Sequence, residues 1–188
     1  MILYHIDRTG HLKEGQTIDY TKEITLGKKH LNENQKELID NRYKNGLSSH
    51  GLRYYLDECF NKNYALDMLF ECERLLNYPN KLSRYESFYA FDLDGLLDFI
   101  ELKELQYEFF KVYEVEYDYY EVHNMNLIRG WSHYEMIVHS KLYWENKPDH
   151  NKNNKVINEY LLKLPITIKK EIPNNYFLEK INQRKNKK

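Results

Sequence analysis

Residues 83–99 read SRYESFYAFDLDGLLDF. The first half alternates, with Phe88 and Ala90 on one face of an extended segment and Ser87, Tyr89 and Phe91 on the other, a period-two pattern rich in strand-favouring aromatics. Asp92 then offers a carboxylate to the unpaired N–H groups of a helix start, and Leu93, Leu96, Leu97 and Ile100 follow at helical spacing. A strand that runs directly into a capped, core-facing helix is a building block of mixed folds.

The flanking sequence repeats this mixture. ILYHI (2–6) alternates as a short strand in which His5 points away from Tyr4 and Ile6, and RTGHLKEGQTIDY after it reads as turn and loop. Leu31, Leu38 and Ile39 give a helix over about 30–43, with Gly46 behind it as a stop signal. GLSSHGLRYYL (46–56) passes from a polar loop into an ordered element whose type the pattern leaves open. Ala65, Leu69, Cys72 and Leu76 form one helical stripe that Pro79 ends.

Beyond the opening segment, FFKVYEVEYD (109–118) alternates as a strand, and Trp131, Tyr134, Val138 and Leu142 predict a helix running towards YWENKP. EYLLKLPITI (159–168) alternates throughout and predicts one strand, placed at an edge or carrying a bulge because Pro165 has no N–H to donate. The basic end KINQRKNKK lacks apolar periodicity and is expected to fray. The strands are short, aromatic and alternating, so they favour a compact α+β fold, a mixed sheet with flanking helices, over a doubly wound parallel sheet. One domain over 1–175 with a basic tail at 176–188 is expected from 188 residues.

Charge and composition narrow the functional classes. The formal net charge is −1, so non-specific attraction to nucleic acid or anionic membrane needs a local patch. There is no long apolar run and no leader-like start, which points to a cytoplasmic protein without a membrane partner. Cys59 and Cys72 read as reduced packing residues, and the scattered histidines, His133 and His139 among them, give no metal-ligand spacing. Phosphate-loop, nucleophile-elbow and dinucleotide-fold motifs are missing from the sequence.

The residues left for chemistry are spread along the chain: His5 on the first strand, Tyr89 on the middle strand and Glu159 at the start of the last. The order YHIDR, GLSSHG, SFYAFDLDGLLDF, VYEVEYD with HNMNLI, then EYLLKLPITI, resembles compact bacterial ADP-ribosyltransferases, especially the rifamycin-modifying type. The chain is also similar, over nearly its full length, to a bacterial family of unknown function with SRY-S-FA and YW signatures.

The first resemblance implies an enzyme that uses NAD as substrate and transfers ADP-ribose to a protein, a nucleic acid or a small molecule, in a setting such as phage defence or toxin action. It implies that His5 holds the adenosine ribose, Tyr89 stacks on nicotinamide and Glu159 binds the nicotinamide ribose and steadies its cation. Ser48, His50 and Arg84 would add polar or phosphate contacts. Read from the residues alone, His5 equally satisfies a backbone group, Tyr89 and Trp144 pack, Arg84 forms a structural ion pair, and Glu145 or Glu114 replaces Glu159 as the carboxylate. A non-catalytic nucleotide- or partner-binding domain, NAD hydrolysis and RNA 2′-phosphate processing stand as alternatives.

Overall fold

A computed structural model describes residues 1–21, 25–26, 29–30, 32–56, 62–103, 110–130, 132–151 and 154–186. Cys59, Trp131 and Leu31 lie outside the described residues. Nine strands and six helices are described, in the order β1 (Leu3–Asp7), β2 (Thr17–Ile18), β3 (Thr25–Leu26), β4 (Lys29–His30), α1 (Glu33–Arg42), α2 (Ser49–Leu56), α3 (Lys62–Asn77), β5 (Ser87–Ala90), α4 (Leu93–Leu102), β6 (Lys111–Glu116), β7 (Tyr120–Asn124), α5 (His133–Trp144), β8 (Asn158–Lys163), β9 (Ile166–Ile172) and α6 (Asn174–Lys185). The fold is mixed α+β, as the alternation predicts.

Two antiparallel sheets carry the architecture. One has strand order β1-β6-β9-β2 and the other β5-β8-β7, while β3 and β4 pair only with each other. The sheets are joined twice: Tyr4 and Phe91 exchange backbone hydrogen bonds of 2.8 Å each, and β8 leads straight into β9.

Side-chain alternation then sorts the core into layers. Leu3, Phe88, Ala90, Tyr113, Val115, Tyr160, Leu162 and Ile168 fill the space shared by the two sheets. Tyr4, Ile6 and Val112 point the other way, into a cluster completed by Leu96, Leu97 and Ile100 of α4 and by Phe177 and Ile181 of α6. On the far face of the three-stranded sheet, Leu161 meets Phe70 of α3 and Leu142, Tyr143 and Trp144 of α5. A fourth cluster joins Ile39, Tyr43, Leu47, Leu52 and Tyr85 beside these layers.

The opening segment folds as its pattern requires. β5 pairs with β8, and the Asp92 side chain accepts the Gly95 N–H at 2.7 Å to cap α4. Its other carboxylate oxygen accepts the Tyr160 hydroxyl at 2.9 Å, so the cap is tied to β8.

Four expectations need correction. The run 159–168 is two strands in two sheets, divided at Leu164–Pro165, a cis peptide, and β8 is the central strand of its sheet rather than an edge. Pro165 ends pairing instead of bulging it, because the ladder there would need the N–H it lacks. Helix α3 buries the face opposite the apolar stripe: Leu66, Asp67, Phe70, Glu71 and Arg74 are buried, whereas Cys72 is exposed and Leu76 is 79% exposed. Tyr134 is likewise 79% exposed, although Val138 and Leu142 do face the core. The basic end does not fray from Lys180: helix α6 continues to Lys185, and Phe177 and Ile181, four apart, anchor it beside α4.

Candidate functional site

The three residues on which the functional expectation turns lie in one neighbourhood. Tyr89 and Glu159 share the outer face of the three-stranded sheet, since Tyr89 is opposite Leu161 and Glu159 is two residues along β8. β1 runs beside the end of β5, and the His5 ring approaches Phe88 with centroids 4.2 Å apart.

His5 does satisfy a backbone group, with Nδ1 2.7 Å from the Tyr89 carbonyl oxygen. A carbonyl only accepts, so Nδ1 carries the proton and Nε2 keeps its lone pair, with no hydrogen-bond partner among the described residues. Burial pushes the His5 pKa down to about 4, against smaller upward pulls from the Tyr89 carbonyl and Asp7. The imidazole is neutral at physiological pH.

α2 brings the second histidine. The His50 ring stands edge-on to Tyr89 at 5.3 Å and to His5 at 6.5 Å, with Tyr54 at 6.1 Å. Burial, followed by the charges of its neighbours His5, Arg8, Arg53 and Arg84, lowers the His50 pKa to about 3. Arginines Arg8 and Arg53 are exposed at this rim. The loop that carries Arg8 is held by Asp7, whose carboxylate accepts the N–H groups of Thr9, Gly10 and Leu12 and the Thr9 hydroxyl.

Ser48 takes a structural part. Its hydroxyl accepts the Gly51 N–H at 3.0 Å, capping α2, and donates its proton to the Tyr85 carbonyl at 3.1 Å.

Arg84 is the hub of the cluster. Its Nε donates to Asp67 at 2.9 Å, and its Nη1 donates to the Tyr143 hydroxyl at 2.9 Å and to Glu159. Tyr143 passes its own proton side to the same Glu159 oxygen at 2.6 Å. The Arg84 carbonyl accepts the Tyr89 hydroxyl at 2.6 Å, and the guanidinium lies 5.0 Å from the Tyr89 ring centre. Burial opposes the guanidinium charge, but Glu159 first, then Tyr143, Tyr89 and Asp67, hold its pKa well above the usual arginine value. The ion-pair role is therefore real, and it is built into the same cluster as His5 and Tyr89.

The rival carboxylates stand elsewhere. Glu145 ends α5, paired with Lys147 at 2.9 Å, and Glu114 on β6 faces Lys170 at 3.4 Å. Trp144 packs, donating its indole N–H to the Phe70 carbonyl at 2.7 Å. No group of three or more His, Cys, Asp or Glu among the described residues is arranged to hold a metal ion. No helix among them is long and apolar enough to cross a membrane.

A family model described as a protein of unknown function, DUF2441, matches residues 3–174. The chain belongs to this family. No curated protein matches it. The matched region of this DUF2441 chain begins with β1 and ends at the first residue of α6, so it contains every residue of the cluster.

Two members of the cluster escaped the sequence reading, Asp67 and Tyr143. The first had a signal: Asp67, Glu71 and Arg74 recur at helical spacing on the face opposite the apolar stripe. Tyr143, flanked by Leu142 and Trp144 near the end of a helix, had none.

Proposed function

We propose that the protein is an NAD-dependent ADP-ribosyltransferase acting on a macromolecule or a small molecule, with His5, Tyr89 and Glu159 at its reacting site. The observation that carries this reading is that three buried side chains around Tyr89 each keep a polar atom with no hydrogen-bond partner among the described residues: Nε2 of His5, Nη2 of Arg84 and Oε2 of Glu159. Buried groups of this kind are normally satisfied, so a polar ligand or ordered water is the natural complement. A ribose, which donates and accepts through neighbouring hydroxyls, suits a mixed set of one imidazole lone pair, one carboxylate oxygen and one guanidinium edge.

The roles follow from chemistry at each atom. Neutral His5 accepts a ribose hydroxyl at Nε2. Tyr89, its hydroxyl already committed to the Arg84 carbonyl, offers an immobile ring for nicotinamide. Glu159, with Oε1 fixed by two donors, turns Oε2 to the nicotinamide ribose, where positive charge develops as the glycosidic bond breaks. Arg8 and Arg53 at the rim add positive potential beside His50, favourable to phosphates.

The test combines labelled NAD and a cell extract with the wild-type protein and Glu159→Gln. Wild type is expected to release nicotinamide and label an acceptor, while Glu159→Gln keeps its fold and loses both. Turnover that survives in Glu159→Gln refutes the assignment.

A second reading is favoured by one feature: Glu159 is only 3% exposed and already serves Arg84 and Tyr143. A non-catalytic nucleotide-binding domain would use the cluster as a buried pillar. Thermal stabilisation by NAD without nicotinamide release selects that reading.

A further inference from the structure

We infer that Asp67 of α3 is a positioning residue that sets the charge of the site, occupying the Nε side of Arg84 so that the Glu159 carboxylate keeps a net negative charge for the ribosyl centre. The inference deepens the proposed function and rests on it.

One guanidinium meets two carboxylates here. Asp67 and Glu159 reach Arg84 from α3 and β8, with side chains only 6% and 4% exposed. A pair of Arg84 and Glu159 alone would be neutral and would offer a developing cation little beyond a dipole. With Asp67 attached, the three side chains sum to one negative charge, and among the described residues the remaining groups against them do not offset it. Tyr143 and Tyr89 are uncharged phenols, their pKa values raised by burial, and His5 and His50 are neutral. The positive side chains Arg8 and Arg53 lie on the exposed His50 rim, where water screens them.

The chemistry needs that balance. When the bond between the ribose C1′ and the nicotinamide nitrogen breaks, its electron pair leaves with nicotinamide and positive charge appears on C1′ and the ring oxygen. A lone pair of the acceptor forms the new bond to C1′ and the acceptor releases a proton. Nicotinamide leaves neutral, so the step carries the positive charge from the pyridinium ring of bound NAD onto the ribose, and a fixed negative charge nearer the ribose than that ring favours the transition state over bound NAD.

Asp67→Asn tests this, because the amide oxygen can still accept from Nε while the charge is gone. The expected result is a 10- to 100-fold fall in kcat for nicotinamide release, roughly the effect of a unit charge several Å away at an effective dielectric near 20. KM for NAD and the thermal shift given by NAD stay within about twofold and about one degree of wild type, which loss of a purely structural contact would not produce. Asp67→Glu restores kcat. The pair Asp67→Glu and Asp67→Gln repeats the comparison on a longer arm, so a misfolded Asn variant does not end the test. Equal kcat for charged and uncharged members of either pair overturns the inference while leaving the enzyme reading intact. Wild-type protein that neither binds NAD nor releases nicotinamide overturns the reading itself, before any variant is made.

Discussion

Gly51 gives the sharpest test of how α2 seats His50 against β5. In a helix interior alanine is favoured over glycine by about 1 kcal/mol, so propensity alone makes Gly51→Ala stabilising. The packing says the reverse: a Cβ built there lies 1.9 Å from the Tyr85 carbonyl oxygen and 2.5 Å from that residue's carbonyl carbon and Cα. Ordinary carbon–oxygen contact begins near ~3.3 Å, so α2 and the Tyr85 backbone must part by about 1.4 Å. That separation breaks the 2.8 Å bond from Ser48 N–H to the Tyr85 carbonyl and the 3.1 Å bond from the Ser48 hydroxyl. Two hydrogen bonds at about 1 kcal/mol each, with about 1–3 kcal/mol of overpacking, outweigh the propensity gain by about 2–4 kcal/mol. Urea unfolding followed by circular dichroism measures this directly, and Tm should fall by roughly 5–15 °C for a chain of this size. A Gly51→Ala protein as stable as wild type would refute the close approach of α2 to residues 83–85. It would also remove the reason for His50 to stand against Tyr89.

Two further outcomes follow from the same contacts. Asp92→Ala should cost about 2–3 kcal/mol in urea unfolding, the loss of a helix cap together with an unsatisfied Tyr160 hydroxyl, and Asp92→Asn should cost less because it keeps an acceptor for Gly95. Stability should also depend on pH below neutrality. His5 and His50, with folded pKa values of about 4 and about 3, stay neutral in the fold while the unfolded chain takes up protons near its ordinary pKa of about 6.5, so each removes about 1.4 kcal/mol per pH unit as pH falls from there to its folded value. His50 is partly exposed, so its share is the smaller of the two. Glu86 acts oppositely: burial raises its pKa to about 7, so the fold binds its proton first and gains stability as pH falls from 7 towards the ordinary carboxylate range. Unfolding measured between pH 6.5 and 5 should therefore show a shallow net loss in wild type, a flatter profile in His5→Gln and a steeper one in Glu86→Gln; identical profiles would refute the buried neutral histidines.

The strands β1, β5 and β6 and the run that holds β8 and β9 were legible in the sequence because alternation is a statement about faces, whereas β2, inside a segment read as loop, and β7 were not. Once Phe88 and Ala90 are known to be inside, Tyr89 must lie on the other side, and the same count along β8 puts Glu159 on the face opposite Tyr160 and Leu162. His5 separates from Tyr4 and Ile6 by the same rule. Two of the three proposed site residues therefore share a sheet face for a reason visible in one dimension, although the pairing of β5 with β8 that brings them together is not.

Helices carry weaker instructions, and α3 shows why. Apolar periodicity selects Leu69, Cys72 and Leu76 as the inner stripe, yet the helix turns Asp67, Glu71 and Arg74 inward. The physical reason lies in the turn before β5. Ser83 and Arg84 enter the interior there, and a buried guanidinium without carboxylates would cost far more than exposing a few aliphatic side chains. Glu71 accepts the Ser83 hydroxyl at 2.9 Å and pairs with Arg74 at 2.7 Å, Asp67 takes Arg84, and Phe70 on the same side, with Leu66 buried near it, supplies the apolar contact that lets the face bury. The rotation of α3 is thus set by the polar demands of residues 83 and 84, so the arginine at the head of the decisive segment determines which face of a distant helix is core. An Arg84→Met protein should relieve that demand. Asp67 would then be left buried without its partner, so the cost falls on the helix as much as on the strand.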